Sequence, residues 1–232
     1  MKTQSLTPPR SLFLAFVALA GGTILNAAAP TAEDNWPAWR GPLDNGVSPH
    51  GNPPISWSET NNVKWKAKIP GLGLSTPIVW GNRIFLQTAI PTGRKVEASA
   101  EAAASPPATN PPPADTPPGN APGGPRGGGR GPGMMGGAKP TEFHRFALLC
   151  LDRATGKVLW QQVASEVVPH EGFRAGEGSF VSQSPVTDSE HLFANFGSRG
   201  LYCYDLDGKP GWKLACGEMR IKRGFGEGSS AA

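Results

Sequence analysis

One pattern that this chain states twice constrains its fold more than anything else in it. Cys150-Leu151-Asp152-Arg153-Ala154-Thr155-Gly156-Lys157-Val158-Leu159-Trp160 returns as Cys203-Tyr204-Asp205-Leu206-Asp207-Gly208-Lys209-Pro210-Gly211-Trp212. Cys, Asp, Gly, Lys and Trp keep their order, and the second turn is one residue shorter. Each copy reads as a hairpin: an apolar run of strand type, a turn, and a second strand that carries Trp. The Asp accepts hydrogen bonds from the backbone of its own turn, and the Gly takes the positive φ that closes it. An internal repeat governs every local reading.

The repeat reaches further back. Ile55-Ser56-Trp57-Ser58 and Val63-Lys64-Trp65-Lys66-Ala67-Lys68-Ile69 alternate apolar and polar residues, which predicts half-buried strands. Gly71 to Thr88 reads as strand, Gly81-Asn82 hairpin, strand, and Gly176 to Ala194 echoes it. A third copy opens at Gly224-Phe225-Gly226-Glu227-Gly228-Ser229-Ser230. Four antiparallel strands in a unit of about 40 to 50 residues make one blade of a β-propeller. Trp65, Trp160 and Trp212 hold the same place in successive units. A large flat ring there docks between blades and buries roughly 150–250 Å².

The run Asp152-x-x-Thr155-Gly156-x-x-x-Trp160 resembles the tryptophan-docking repeat of the pyrroloquinoline-quinone-type β-propellers. That superfamily includes quinoprotein dehydrogenases, the propeller lipoprotein of the outer-membrane assembly machine, and many exported bacterial proteins. The resemblance spans Asn35 to Gly228 apart from one insert. It implies an all-β partial propeller over 35–232, two blades and the start of a third. It also implies a structural, blade-docking role for Trp65, Asp152, Gly156, Trp160, Asp205, Gly208 and Trp212. Exported relatives often begin with a segment like Asn35-Trp36-Pro37-Ala38-Trp39-Arg40-Gly41-Pro42, whose strand closes the ring. Trp36 and Trp39 are therefore expected to pack at the closure, with an aromatic platform for sugars as the alternative.

The N-terminus has the three parts of an export signal over residues 1–29. Lys2 and Arg10 are basic, Leu12 to Ala20 is apolar, and Gly21 to Ala29 is rich in small residues. The apolar stretch is too short to span a bilayer comfortably. The first Cys is Cys150, which argues against lipid anchoring through a processed N-terminal Cys. A periplasmic or secreted protein is expected. Much of the 31 Gly and 25 Pro falls in a second segment, 91–141, which is nearly all Ala, Pro, Gly, Ser, Thr and Asn. Such a tract buries too little apolar area to offset its ordering entropy, so a disordered insert is expected there. Arg126 to Arg130 is read as spacer, not an RNA-binding tract, and Met134-Met135 as a poor copper site. The net charge of +4 is small for 232 residues, so no nucleic-acid surface is implied.

Chemistry is sparse. His50, His144, His170 and His191 show no metal-ligand spacing, and no nucleophile elbow or nucleotide loop is present. Cys150, Cys203 and Cys216 lack the adjacent-cysteine mark of the calcium-dependent alcohol-oxidising relatives. His170, Glu171, Arg174, Glu177, Glu218, Arg220, Arg223 and Glu227 are the candidates for lining a funnel mouth, and no catalytic or metal residue is assigned. The expected function is a non-catalytic binding or scaffold module for a protein or polysaccharide partner. The alternative is a fragment of a dehydrogenase that uses pyrroloquinoline quinone with calcium. Two blades leave apolar faces uncovered, so the chain is expected to be a truncated part of a longer propeller, with self-association of several copies into a ring as the alternative.

Overall fold

A computed structural model describes residues 31–97, 138–174, 176–221 and 226–230. The expected signal peptide and most of the expected insert lie outside these residues. The protein is all-β. Strands β1 (Ile78–Trp80), β2 (Arg83–Lys95), β3 (Glu142–Asp152) and β4 (Val158–Val167) form one antiparallel sheet in sequence order. Strands β5 (Val186–Thr187), β6 (His191–Asn195), β7 (Leu201–Asp205) and β8 (Pro210–Leu214) form a second of the same topology. These are two four-stranded propeller blades.

The apolar run in β3 explains how they stack. Period two sends Phe146, Leu148 and Cys150 to one face and Ala147, Leu149 and Leu151 to the other, and none of the six is more than 2% exposed. The first set packs with Ile78 and Phe85 of its own sheet and with Leu192, Ala194, Phe196 and Tyr204 of the second. The other set packs against Ala67, Ile69, Ile84, Leu86 and Ile90. Full burial of a side chain such as Phe146 or Leu148 contributes about 1.5–3 kcal/mol, so β3 is the keel of the structure. Burial also pushes the Cys150 thiol up to about 11. All three cysteines are free thiols, Cys150 and Cys203 buried and Cys216 exposed.

The two stretches expected as strands ahead of β1 are not strands. Ile55 and Trp57 are exposed, and the only pairing near them is the bridge between Ser58 and Asn61. Val63 to Ile69 keeps the alternation, with Trp65, Ala67 and Ile69 half-buried and the residues between them exposed. Alternation reports that one face is covered; a ladder also needs a neighbouring strand, and none of the described residues supplies it. At the other end, β2 runs on through Pro91 to Lys95, into the segment assigned to the insert. A bulge there is pinned where Gly93 N–H donates to Glu142 Oε1 (2.7 Å) and Thr92 Oγ1 donates to the Phe143 carbonyl (2.8 Å).

Blade joins to blade by a repeating set of bonds. Gln87 Nε2 donates to the Asn195 carbonyl (2.7 Å), and Asn195 Nδ2, at the matching place in the second blade, donates to the Ser229 carbonyl (3.1 Å). Thr76 N–H likewise donates to Ser184 Oγ and Ser184 N–H to Ser230 Oγ, both at 2.9 Å. Gly226 to Ser230 thus occupies the position of a third inner strand.

Candidate binding site

Of the seven residues singled out from sequence, Asp152, Gly156, Asp205 and Gly208 lie in the two repeated turns, and Trp65 and Trp160 cover those turns. Gly156 has φ +72 and Gly208 φ +84, the left-handed region that favours glycine. Each lies under a Trp from the preceding unit: a Cβ on Gly156 would stand 2.5 Å from Trp65 Cε3, and one on Gly208 would stand 2.8 Å from Trp160 Cδ2. Trp212 packs on Phe193 of its own blade (6.0 Å, 43°) as Trp160 packs on Phe85 (5.9 Å, 43°), but it is half exposed. The two turns differ in one contact. Trp65 Nε1 donates to the Arg153 carbonyl (3.0 Å). The matching carbonyl in the second blade, that of Leu206, accepts from Arg83 Nη1 instead, and Trp160 Nε1 is buried without a partner among the described residues.

Asp152 shapes the first turn. Its Oδ1 accepts from Thr155 N–H (2.8 Å) and Thr155 Oγ1 (2.7 Å), and its Oδ2 from Asn82 Nδ2 (2.8 Å). Asp205 Oδ1 does the same work in the second turn, accepting from the N–H groups of Asp207 (2.9 Å) and Lys209 (2.8 Å). The Thr155 hydroxyl bond is the main cause that holds the Asp152 carboxyl below the usual range. A depressed folded value means that the stabilisation is full above the unfolded value of about 3.9 and is lost as pH falls through the folded one. Asp152→Asn is therefore expected to flatten the loss of stability on acidification from about pH 5 to pH 2. Equal slopes for the two proteins in urea unfolding would show that the carboxylate is not a source of the acid sensitivity.

A groove of about 740 Å³ runs along the first-strand side of both blades. Leu74, Thr76, Ser182, Thr187 and Ser230 line its floor, and Trp39, Arg40 and Asp44 line its wall. The wall is held in place by Asn35, Trp36 and Pro37. Gly81 N–H donates to buried Asn35 Oδ1 (2.7 Å), Trp36 and Val79 exchange backbone bonds, and Thr187 N–H donates to the Pro37 carbonyl (3.0 Å). Trp36 is half-buried against Gly41, in keeping with packing, and it sits on the inner edge of the first blade. Trp39 is different: it is 58% exposed, so it packs little. The described lining offers Asp44 as its one carboxylate, beside hydroxyls and backbone. Calcium takes 6–8 oxygen ligands, with carboxylates prominent, so this donor set does not fit a calcium-bound quinone.

The charged candidates divide. Glu227 is buried, and its carboxylate accepts from Ser198 N–H and Ser198 Oγ, both at 2.7 Å, and pairs with Arg199 Nη1 at 3.0 Å. Both side chains are 6% exposed, and the guanidinium lies 4.7 Å over the Phe146 ring. Burial pulls the Arg199 value down, and Glu227 opposes that pull. His170 Nε2 donates to the Met219 carbonyl (2.8 Å), and Glu171 Oε2 accepts from Ile221 N–H (3.0 Å). The cluster ties the segment after β8 to the turn at Gly197–Arg199. Arg174 and Glu177 form an exposed pair at 3.1 Å, Glu218 and Arg220 are exposed, and Arg223 lies outside the described residues. Arg199, the cation of the pair, was not among the sequence candidates, since a Gly-Ser-Arg loop has no motif to mark it.

Among known proteins, residues 145–222 match a family model described as outer membrane protein assembly factor BamB. The match covers most of β3, all of β4 and the whole second blade. A search of curated proteins finds no match.

Proposed function

We propose, from the premise that residues 145–222 are repeats of the pyrroloquinoline-quinone type, that this chain is an exported, non-catalytic binding and scaffold module. Its partner is a protein or polysaccharide of the cell envelope, held in the groove beside the first strands. One observation carries this reading: Trp39 is exposed beside Arg40 in a groove that Thr76, Ser182 and Ser230 also line. An exposed indole offers a flat apolar face to a sugar ring or an apolar side chain, and the hydroxyls and Arg40 supply hydrogen bonds at its edge. Trp65, Asp152, Gly156, Trp160, Asp205, Gly208 and Trp212 serve the scaffold by docking blade on blade. Among the described residues no helix is long and apolar enough to cross a membrane. Export rests on the leader-like residues 1–29, and fractionation of expressing cells tests it.

Trp39→Ala is expected to leave the fold intact, because the ring packs little, and to weaken binding about tenfold, the scale of an exposed aromatic contact. Affinity electrophoresis in gels containing soluble polysaccharides reads one partner class, and fluorescence titration with extended envelope peptides reads the other. Retardation or titration that Trp39→Ala leaves unchanged would sink the groove reading.

A further inference from the structure

A second cleft, of about 390 Å³, lies between the end of the first blade and the segment that enters the second. Leu72, Pro91, His144, Phe173 and Phe180 line it. Its aromatic wall is built edge to face: Phe173 meets Phe180 at 4.7 Å and 83°, and His144 meets Phe180 at 4.8 Å and 69°. Leu72 on the rim is half exposed, yet its backbone is fixed by exchange of bonds with Ala89. The His144 ring is fixed too, by a 3.0 Å bond from Nδ1 to the Glu142 carbonyl. This is a preformed apolar slot with few polar atoms, unlike the hydroxyl-floored groove.

We propose that the slot is a docking site for the chain's own proline-rich segment Pro106 to Pro113. Position is the first argument. Pro91 and His144 face each other in the β2–β3 ladder, and the 98–137 stretch leaves and re-enters the sheet a few residues beyond them, at Glu97 and Ala138. Going back from Glu97 to the level of Pro91 needs about 20 Å, and the nine residues from Glu97 to Pro106 reach roughly 30 Å. Chemistry is the second. Ser105-Pro106-Pro107-Ala108-Thr109-Asn110-Pro111-Pro112-Pro113 carries no charge. Proline rings lack an N–H that would be stranded in an apolar slot, and aromatic-walled grooves take polyproline II segments with a low ordering cost. Tethering is the third: a covalent link within one chain supplies an effective concentration in the millimolar range, so even a weak contact is occupied.

The test uses the full chain with Pro106, Pro107, Pro111, Pro112 and Pro113 all changed to Ser. A synthetic peptide with the sequence of residues 104–114 is titrated by fluorescence anisotropy. Removing the internal competitor is expected to raise peptide affinity at least about tenfold over the unaltered chain. Leu72→Lys, at a half-exposed rim, is expected to abolish the gained binding. Equal affinity in the altered and unaltered chains, or no binding in either, overturns the proposal. Sedimentation of the unaltered chain separates the last arrangement: a dimer that dissociates in the Pro→Ser chain would place the segment in a neighbour's slot and refute docking within one chain.

Discussion

Gly156→Ala is expected to destabilise the protein by about 2–5 kcal/mol. About 1–2 kcal/mol of this comes from forcing an L side chain to φ +72. About 1–3 kcal/mol more comes from the collision with the Trp65 ring, whose Cε3 lies 2.5 Å from the new Cβ. Gly93 separates the two contributions. Its φ is +76, but a Cβ there meets nothing within 4 Å, so Gly93→Ala bears the backbone strain alone. Urea unfolding of both variants reads the difference. Trp65→Leu in the Gly156→Ala background is expected to recover the collision share and not the strain. If Gly156→Ala is no worse than Gly93→Ala, the ring does not press on the turn.

Breaking the ion pair beneath the second blade is expected to be as damaging. Arg199→Met leaves Glu227 charged in a site where the side chain is 6% exposed, and loss of one partner from such a pair costs about 3–5 kcal/mol. Two serine bonds remain to Glu227, which places the effect toward the lower end. Arg199→Met combined with Glu227→Leu removes both charges, and that double variant is expected to regain most of the loss. Denaturant midpoints for the four proteins give the coupling directly. A double variant less stable than Arg199→Met alone would mean that Glu227 matters through Ser198 and not through the cation.

The sequence exposed the architecture because its strongest signals are local and repeated. Gly81-Asn82, Asp152 to Gly156 and Asp205 to Gly208 are turns whose chemistry is complete within a few residues, and the structure folds all three as read. The run from Phe146 to Leu151 shows burial on two faces, and both faces are covered. What lay beyond the sequence depends on neighbours. Val63 to Ile69 has the alternation of a strand but no ladder partner among the described residues. Arg199 meets Glu227 only because the turn after β6 and the third copy converge. Trp39 is exposed, against the packing expected of it, on a segment whose Pro37 carbonyl accepts from the distant Thr187 N–H. The unpaired Trp160 Nε1 goes with a bond from Arg83, far away in sequence, to the Leu206 carbonyl.

The bonds from Gln87 to Asn195 and from Asn195 to Ser229 have a consequence for cooperativity. Each links a blade to the next and to no other, as do the pairs Thr76–Ser184 and Ser184–Ser230. Such a molecule behaves as a short one-dimensional chain of units, each with its own modest stability and a coupling to its neighbour. Whether it melts as one body is then decided by the junctions more than by the blades. Weakening that junction, in which the Gln87 bond stands beside the Thr76–Ser184 bond and the packing of Phe146 and Leu148 on the second blade, would let the second blade open while the keel strand β3 still holds the first.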